Sequence, residues 1–325
     1  MQPVNRKRLR PWGVGLTAWC LFFFANGQAS GDTILYFVAH DSTHGVELWK
    51  TDGTDAGTVM VKDINPSGSS NPQLLTNVNG TLYFVASDST HGLELWKSDG
   101  TSAGTVMVKD VNPSGSSSPE QLTNVNGTLY FVASDLTHGL ELWKSDGTSA
   151  GTVLVKDINP SGSSSPEQLT NVSGTLFFVA FESTHGLELW KTNGTDAGTV
   201  MVKNINTSGS SDPQQLTNVN GTLYFVAFDS THGLELWKSD GTSAGTVIVK
   251  NINTSGNSDP QQLTLSVNIP GDFDSDGNVD TADLGIFCGS WLTNNKAMDI
   301  APAGGDGIVN MLDFAVFAEN WLTGD

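Results

Sequence analysis

Apolar and polar positions alternate along most of the chain in short runs. In one stretch, residues 121–125 and 128–133 alternate on either side of an Asn126-Gly127 pair, residues 140–144 form a third run and residues 152–158 a fourth. A period of two predicts strands, because successive side chains on a strand point to opposite faces. The Asn-Gly pair predicts a tight hairpin, since both central turn residues must accept positive φ. Asp146-Gly147-Thr148 opens the turn before the fourth run. Asn159-Pro160-Ser161-Gly162-Ser163-Ser164 has no core residue and reads as a connecting loop. No helical period appears in this region.

The pattern recurs. The tetrapeptide Glu-Leu-Trp-Lys ends at Lys50, Lys97, Lys144, Lys191 and Lys238, with a spacing of 47 residues each time. Four antiparallel strands in a unit of about 40–50 residues match a propeller blade. The first copy begins at Ile34-Leu35-Tyr36-Phe37 and lacks the leading strand, while the last is followed by Pro260-Gln261-Gln262-Leu263-Thr264, which has the leading-strand pattern. The expected fold class is all-β: a five-bladed β-propeller over residues 32–266, with that last segment completing the first blade. An open β-solenoid is the alternative, disfavoured because a solenoid needs caps rather than a swapped strand.

The repeat resembles the bacterial ELWxxDGT family, whose motif stands here as Glu94-Leu95-Trp96-Lys97-Ser98-Asp99-Gly100-Thr101. The fourth copy has Asn193 in place of the aspartate. The resemblance implies an extracellular propeller-like module and brings no defined reaction with it. Trp49, Trp96, Trp143, Trp190 and Trp237 could stack on sugar rings, but a blade buries both faces, so packing is the favoured role. Tyr83 and Phe84, adjacent on one strand, should serve opposite neighbours.

One polar cluster repeats as well. His44, His91, His138, His185 and His232 each follow an acid, at Asp41, Asp88, Asp135, Glu182 and Asp229. Alternating turns place this loop and the Asn-Pro-Ser-Gly-Ser-Ser loop on one rim. The rim is either a set of five equivalent shallow sites for a sugar, peptide or cation, or a set of turns whose His and Asp satisfy loop backbone. Near-identical copies supply rings of one residue type, whereas catalysis needs different residues converging on a point. The expectation from repetition is therefore that the chain is not an enzyme.

Charge and targeting sharpen the picture. The chain carries 34 acidic against 15 basic residues, a formal net charge of −19. Such a surface argues against nucleic acid and anionic membrane as partners. Arg6, Lys7, Arg8 and Arg10 precede an apolar run over residues 14–25, too short to span a bilayer, and Gly27-Gln28-Ala29 offers a cleavage site. Residues 1–29 are read as a signal peptide, with an uncleaved anchor as the alternative. After cleavage 11 basic residues, all lysine, face 34 acidic ones, for a charge of −23, and Cys288 has no partner cysteine.

After Pro270 the pattern changes. Asp272, Asp274, Asp276, Asn278, Asp280 and Asp283 fall at loop positions 1, 3, 5, 7, 9 and 12, with Gly277 at the sharp turn of position 6. Ca²⁺ requires six to eight oxygens at such a spacing. A second, less regular loop has Asp306, Asn310 and Asp313, with Asp299 available if the loop is longer. Leu284, Phe287 and Trp291, and again Phe314, Phe317 and Trp321, predict a helix after each loop. Residues 270–325 resemble a type I dockerin, a small α-helical EF-hand-like module. The resemblance implies a cohesin-like or cell-surface protein partner. It also implies partner-reading residues at loop positions 10 and 11, here Thr281-Ala282 and Met311-Leu312. The second pair departs from the small hydroxyl residues usual in that family.

Taken together, these features predict a secreted, non-enzymatic binding or display protein. A calcium-dependent module would attach it to a partner, and carbohydrate would be the candidate ligand of the repeats. The alternatives are a polysaccharide-degrading component with its own hydrolytic activity and a structural surface-layer protein.

Overall fold

The structure, a computed structural model, describes residues 34–265, 281–289, 309, 313–316 and 318. The first repeat contributes β1 (Leu35–Asp41), β2 (Gly45–Thr51) and β3 (Val59–Lys62). The second contributes β4 (Gln73–Val78), β5 (Thr81–Asp88), β6 (Gly92–Ser98) and β7 (Val106–Lys109). The third has β8 (Glu120–Val125), β9 (Thr128–Asp135), β10 (Gly139–Ser145) and β11 (Val153–Lys156). The fourth has β12 (Glu167–Val172), β13 (Thr175–Glu182), β14 (Gly186–Thr192) and β15 (Val200–Lys203). The fifth has β16 (Gln214–Val219), β17 (Thr222–Asp229), β18 (Gly233–Ser239) and β19 (Val247–Lys250).

Each repeat is one antiparallel meander, three-stranded in the first copy and four-stranded in the other four. The all-β, five-sheet architecture expected from the repeat is present. The Asn-Gly hairpin forms as its residues require: Asn126 has φ 51° and Gly127 φ 82°. The motif tryptophan sits at a β-bulge, where the register of β6 on β7 shifts between Leu95 and Trp96. Leading strands of successive repeats touch, β4 against β8, β8 against β12 and β12 against β16.

The core is a series of layers between sheets. Leu48, Val61 and Ile64 of the first repeat pack on Leu82, Phe84, Ala86 and Trp96 of the second. Tyr83 of that second repeat instead joins Leu129, Phe131, Ala133 and Trp143 of the third. Tyr83 and Phe84 thus face opposite neighbours, as strand geometry dictates. Two further layers repeat the arrangement. Fully burying a Phe or Leu side chain contributes about 1.5–3 kcal/mol, so these layers bind the sheets together without a disulfide.

Polar contacts pin the same junctions. Gln121 Nε2 donates to the Pro166 carbonyl (3.1 Å), and its Oε1 accepts from Leu169 N–H (3.2 Å). Gln168 and Gln215 repeat this bracket one and two copies later. Positive φ at Gln121 (53°), Gln168 (56°) and Gln215 (55°) accompanies the irregular pairing at the start of each leading strand. Lys62, Lys109 and Lys203 each reach a threonine carbonyl of the next repeat, at 2.7, 2.8 and 2.7 Å.

One expectation needs correction. Residues 260–264 form no strand, and no strand among the described residues pairs with the outer edge of β1. The five sheets are there, but the strand that was to close them is not paired. The end repeats show the consequence, since Leu35, Val38, Val249 and Ile252 are exposed while their equivalents in the interior copies are buried. Beyond the repeats, α1 (Thr281–Gly289) and helical residues 313–316 meet through Phe287 and Phe314, with ring centroids 5.9 Å apart.

Candidate ligand-binding surfaces

The repeated histidine lies in the loop before the strand that carries the tryptophan motif, between β1 and β2 in the first repeat and between the second and third strands in the other four. His91 Nδ1 is 2.8 Å from Asp88 Oδ2, and the Asp88 Oδ1 accepts the backbone N–H of Thr90 (2.8 Å) and His91 (2.6 Å). His44–Asp41, His138–Asp135, His185–Glu182 and His232–Asp229 make the same ring contact at 2.6–2.8 Å. The carboxylate is the knot of the turn, capping backbone with one oxygen and orienting the ring with the other. Leu93 N–H donates to Ser116 Oγ (2.9 Å), so this loop and the Asn-Pro-Ser-Gly-Ser-Ser loop do share a rim.

Electrostatics follow from that geometry. The bond to the carboxylate raises the pKa of His44, His91 and His138. Asp41, hydrogen-bonded by His44, is lowered to about 2. Burial pushes Glu182 upward, but hydrogen bonds from His185 and Thr184 outweigh it and bring it to about 2. A neutral ring that donates from Nδ1 keeps Nε2 as an acceptor. Among the described residues no group of three or more His, Cys, Asp or Glu side chains is placed to hold a metal ion.

A second repeated feature was not recognised from sequence. Four pockets of about 330–410 Å³ lie at successive repeat positions beside the leading strands. One is lined by Leu140, Ser165, Pro166, Glu167, Gln168 and Gln121, and the others by the residues at the equivalent positions of the neighbouring repeats. Each combines a leucine and a proline with side-chain amides and at least one carboxylate; Glu120 and Glu167 are exposed at the pockets they line. The Pro-Glu-Gln and Pro-Gln-Gln triplets signalled these pockets, but they read as the start of a strand.

The motif glutamate has a different role. Glu94 is fully buried, and its carboxyl receives the Ser117 N–H (2.7 Å) and the Ser117 hydroxyl. Burial pushes Glu141 and Glu188 up to about 7, against the hydrogen bonds from Ser164 and Ser211. The tryptophans beside them are packing groups, with Trp96 Nε1 donating to the Ala86 carbonyl at 3.1 Å.

The expected calcium ligands fall mostly outside the described residues. Asp272, Asp274, Asp276, Asn278, Asp280, Asp299, Asp306 and Asn310 lie outside the described residues, as do Met311 and Leu312. Thr281, Ala282 and Asp283 stand in the first turn of α1, and Asp313 is buried in the second helical segment.

No family model matches the chain, and no curated protein does. Solved structures give matches at low identity. A structure from a study of two prolyl endopeptidases is similar at 11% identity and TM-score 0.42, covering 66% of this chain and 32% of that one. An α-L-arabinofuranosidase from Clostridium thermocellum is similar at 17% identity and TM-score 0.27, covering 55% of this chain and 71% of that one. A Bacteroides ovatus glycoside hydrolase of a xyloglucan locus follows at 15% identity and TM-score 0.29, covering 52% and 38%. The chain thus spans about a third of the length of the prolyl endopeptidase it matches.

The expectation that the chain is not an enzyme does not stand as a conclusion from repetition; glycoside hydrolases and peptidases are among the structures it is similar to. Likeness at this level assigns no reaction. The physical flaw in the expectation is that sequence identity between copies is not identity of surroundings. The first and fifth repeats each present to solvent a face that the interior copies bury.

Proposed function

We propose that the repeats bind a neutral polysaccharide along the row of pockets, as a component of a polysaccharide-degrading system outside the cell. The observation that carries this is the row itself: four like pockets, each with an apolar leucine and proline beside amide or carboxylate groups. Sugars need both kinds of surface, hydrogen bonds for hydroxyls and apolar contact for C–H faces. A polymer of like units suits a row of like sites, and multivalent contact raises avidity without any new kind of contact. The net charge of −19 favours a neutral polymer over an anionic one.

The test is affinity electrophoresis of the chain in gels containing xylan, xyloglucan or mixed-linkage glucan. The double substitution Glu120→Ala and Glu167→Ala removes two exposed carboxylates and leaves the glutamine brackets intact. Each lost hydrogen bond costs about 0.5–1.5 kcal/mol, so retention should weaken roughly tenfold. Unchanged retention would refute the pockets as the site. A reducing-sugar assay on the same polymers reads hydrolysis directly.

The C-terminal segment is proposed to bind Ca²⁺ and to attach the chain to a cohesin-like or cell-surface protein. The oxygen spacing from Asp272 to Asp283 supports the metal. Titrating Ca²⁺ into a chelated sample should raise the melting temperature of one transition only. A melting curve unmoved by Ca²⁺ would remove the metal, and with it the attachment role.

A further inference from the structure

The four layers between repeats are built from the same two half-surfaces. The trailing face of one repeat offers Leu48, Val61 and Ile64, or their equivalents. The leading face of the next offers Leu82, Phe84, Ala86 and Trp96, or theirs. Five repeats form four such layers, so one face of each kind is left over. On the first repeat Leu35 is 63% exposed, where Leu82 is 7% and Leu129 0%. On the fifth, Ile252 is 62% and Val249 44% exposed, where Ile64 is 6% and Val61 5%.

The strand inventory shows the same complementarity. Among the described residues the first repeat has no leading strand, and residues 260–264 carry the sequence of one without a strand partner. That segment is already held where a leading strand belongs. Gln215 Nε2 donates to the Pro260 carbonyl (3.2 Å), and Gln215 Oε1 accepts from Leu263 N–H (3.1 Å). Gln121 and Gln168 hold the strands β12 and β16 by the same two bonds.

We infer that the occupant of these two faces is a second copy of this chain, docked head to tail. Residues 260–264 of one copy add to the free edge of β1 of the next. Val249 and Ile252 pack against Leu35, Phe37 and Trp49 in a fifth layer of the established kind. The register follows from the internal pairs Gln214–Val226 and Thr217–Tyr224. Shifted by the repeat, it pairs Gln261 with Val38 and Thr264 with Tyr36. The contact is heterologous, so it propagates to open assemblies or larger rings rather than stopping at a two-fold dimer. In the described structure β1 and residues 260–264 are not paired with each other, which leaves another copy as the complementary surface.

Sedimentation velocity over a range of concentrations tests this. The wild-type chain should form species larger than monomer in proportion to concentration. Leu35→Asp blocks one face and Ile252→Asp the other, and each should be monomeric alone. Mixed, they retain one working junction and should give a 1:1 dimer and nothing larger. A wild-type chain that stays monomeric at all concentrations overturns the inference, as does a mixture with no dimer. Against loss of folding, Val38→Cys with Gln261→Cys in a Cys288→Ser background places two thiols at the paired positions. Oxidation should yield a ladder of covalent oligomers on a non-reducing gel. A cross-link confined to the single chain, which marks a ring closed on itself, overturns the inference, as does no cross-link.

Discussion

At the scale of the residue, the motif glutamate is the least expected feature. A carboxylate recurring five times in an acidic chain reads as surface, yet Glu94 and Glu141 are fully buried under a serine of the following loop. A buried carboxyl binds its proton more tightly in the folded state than in the unfolded one. Its contribution to stability is complete below the unfolded pKa of about 4.3 and is lost as pH rises through the folded value, about 7 for Glu141 and Glu188. The raised histidines His44, His91 and His138 act in the same direction. Asp41 and Glu182, lowered to about 2, act in the opposite one: they stabilise above the unfolded value, and this is lost as pH falls toward 2. The melting temperature should therefore peak near pH 5 (about the midpoint between these windows) and fall toward pH 8. Glu141→Gln with Glu188→Gln keeps the shape and removes the titration, so it should flatten the alkaline fall. A melting temperature that climbs from pH 5 to pH 8 would contradict the burial of these carboxyls.

The hairpin after the motif shows what one element demands of its sequence. Asp99 Oδ1 accepts the Thr101 N–H (2.9 Å) and hydroxyl (2.7 Å), and Thr101 Oγ1 accepts the Gly104 N–H (2.9 Å). A Cβ on Gly104 would lie 2.1 Å from Asp99 Oδ1. Gly104→Ala must therefore break the turn or displace the carboxylate, at a cost of about 1–3 kcal/mol in urea unfolding. Asp99→Asn should change stability by less than about 0.5 kcal/mol. Asn193 already fills this place in the fourth repeat, accepting from Thr195 N–H and hydroxyl at 3.0 and 2.7 Å. The strands and turns of this element were legible in the sequence because each is set by neighbours within a few residues. The pockets were not, because Gln121 acquires its place only when Pro166 and Leu169, a full repeat away, bracket its amide. Nor was the unpaired state of residues 260–264, which depends on β1 at the far end of the array.

For the whole molecule, the question is whether the array behaves as a closed ring or as a stack of nearest neighbours. Every layer joins a repeat only to the one before or after it, and the described ends do not pair. Stability in such an array is a sum of repeat and interface contributions, and it does not depend on a particular number of copies. Deleting residues 129–175 removes one full period of 47 and joins Thr128 to Leu176, which stands where Leu129 stood. All junctions in the shortened chain are then of the original kind, with one layer fewer. It should fold, keep its near-ultraviolet tryptophan signal and unfold cooperatively at a lower melting temperature. Deleting only residues 129–151 instead removes about half a period, joins unlike positions and should leave no cooperative transition. In a ring, the geometry of closure fixes the number of blades, and loss of one whole repeat is as damaging as loss of half. Equal collapse of both deletions would therefore mean that the ends meet. Survival of the full-period deletion alone is the outcome that an open stack requires.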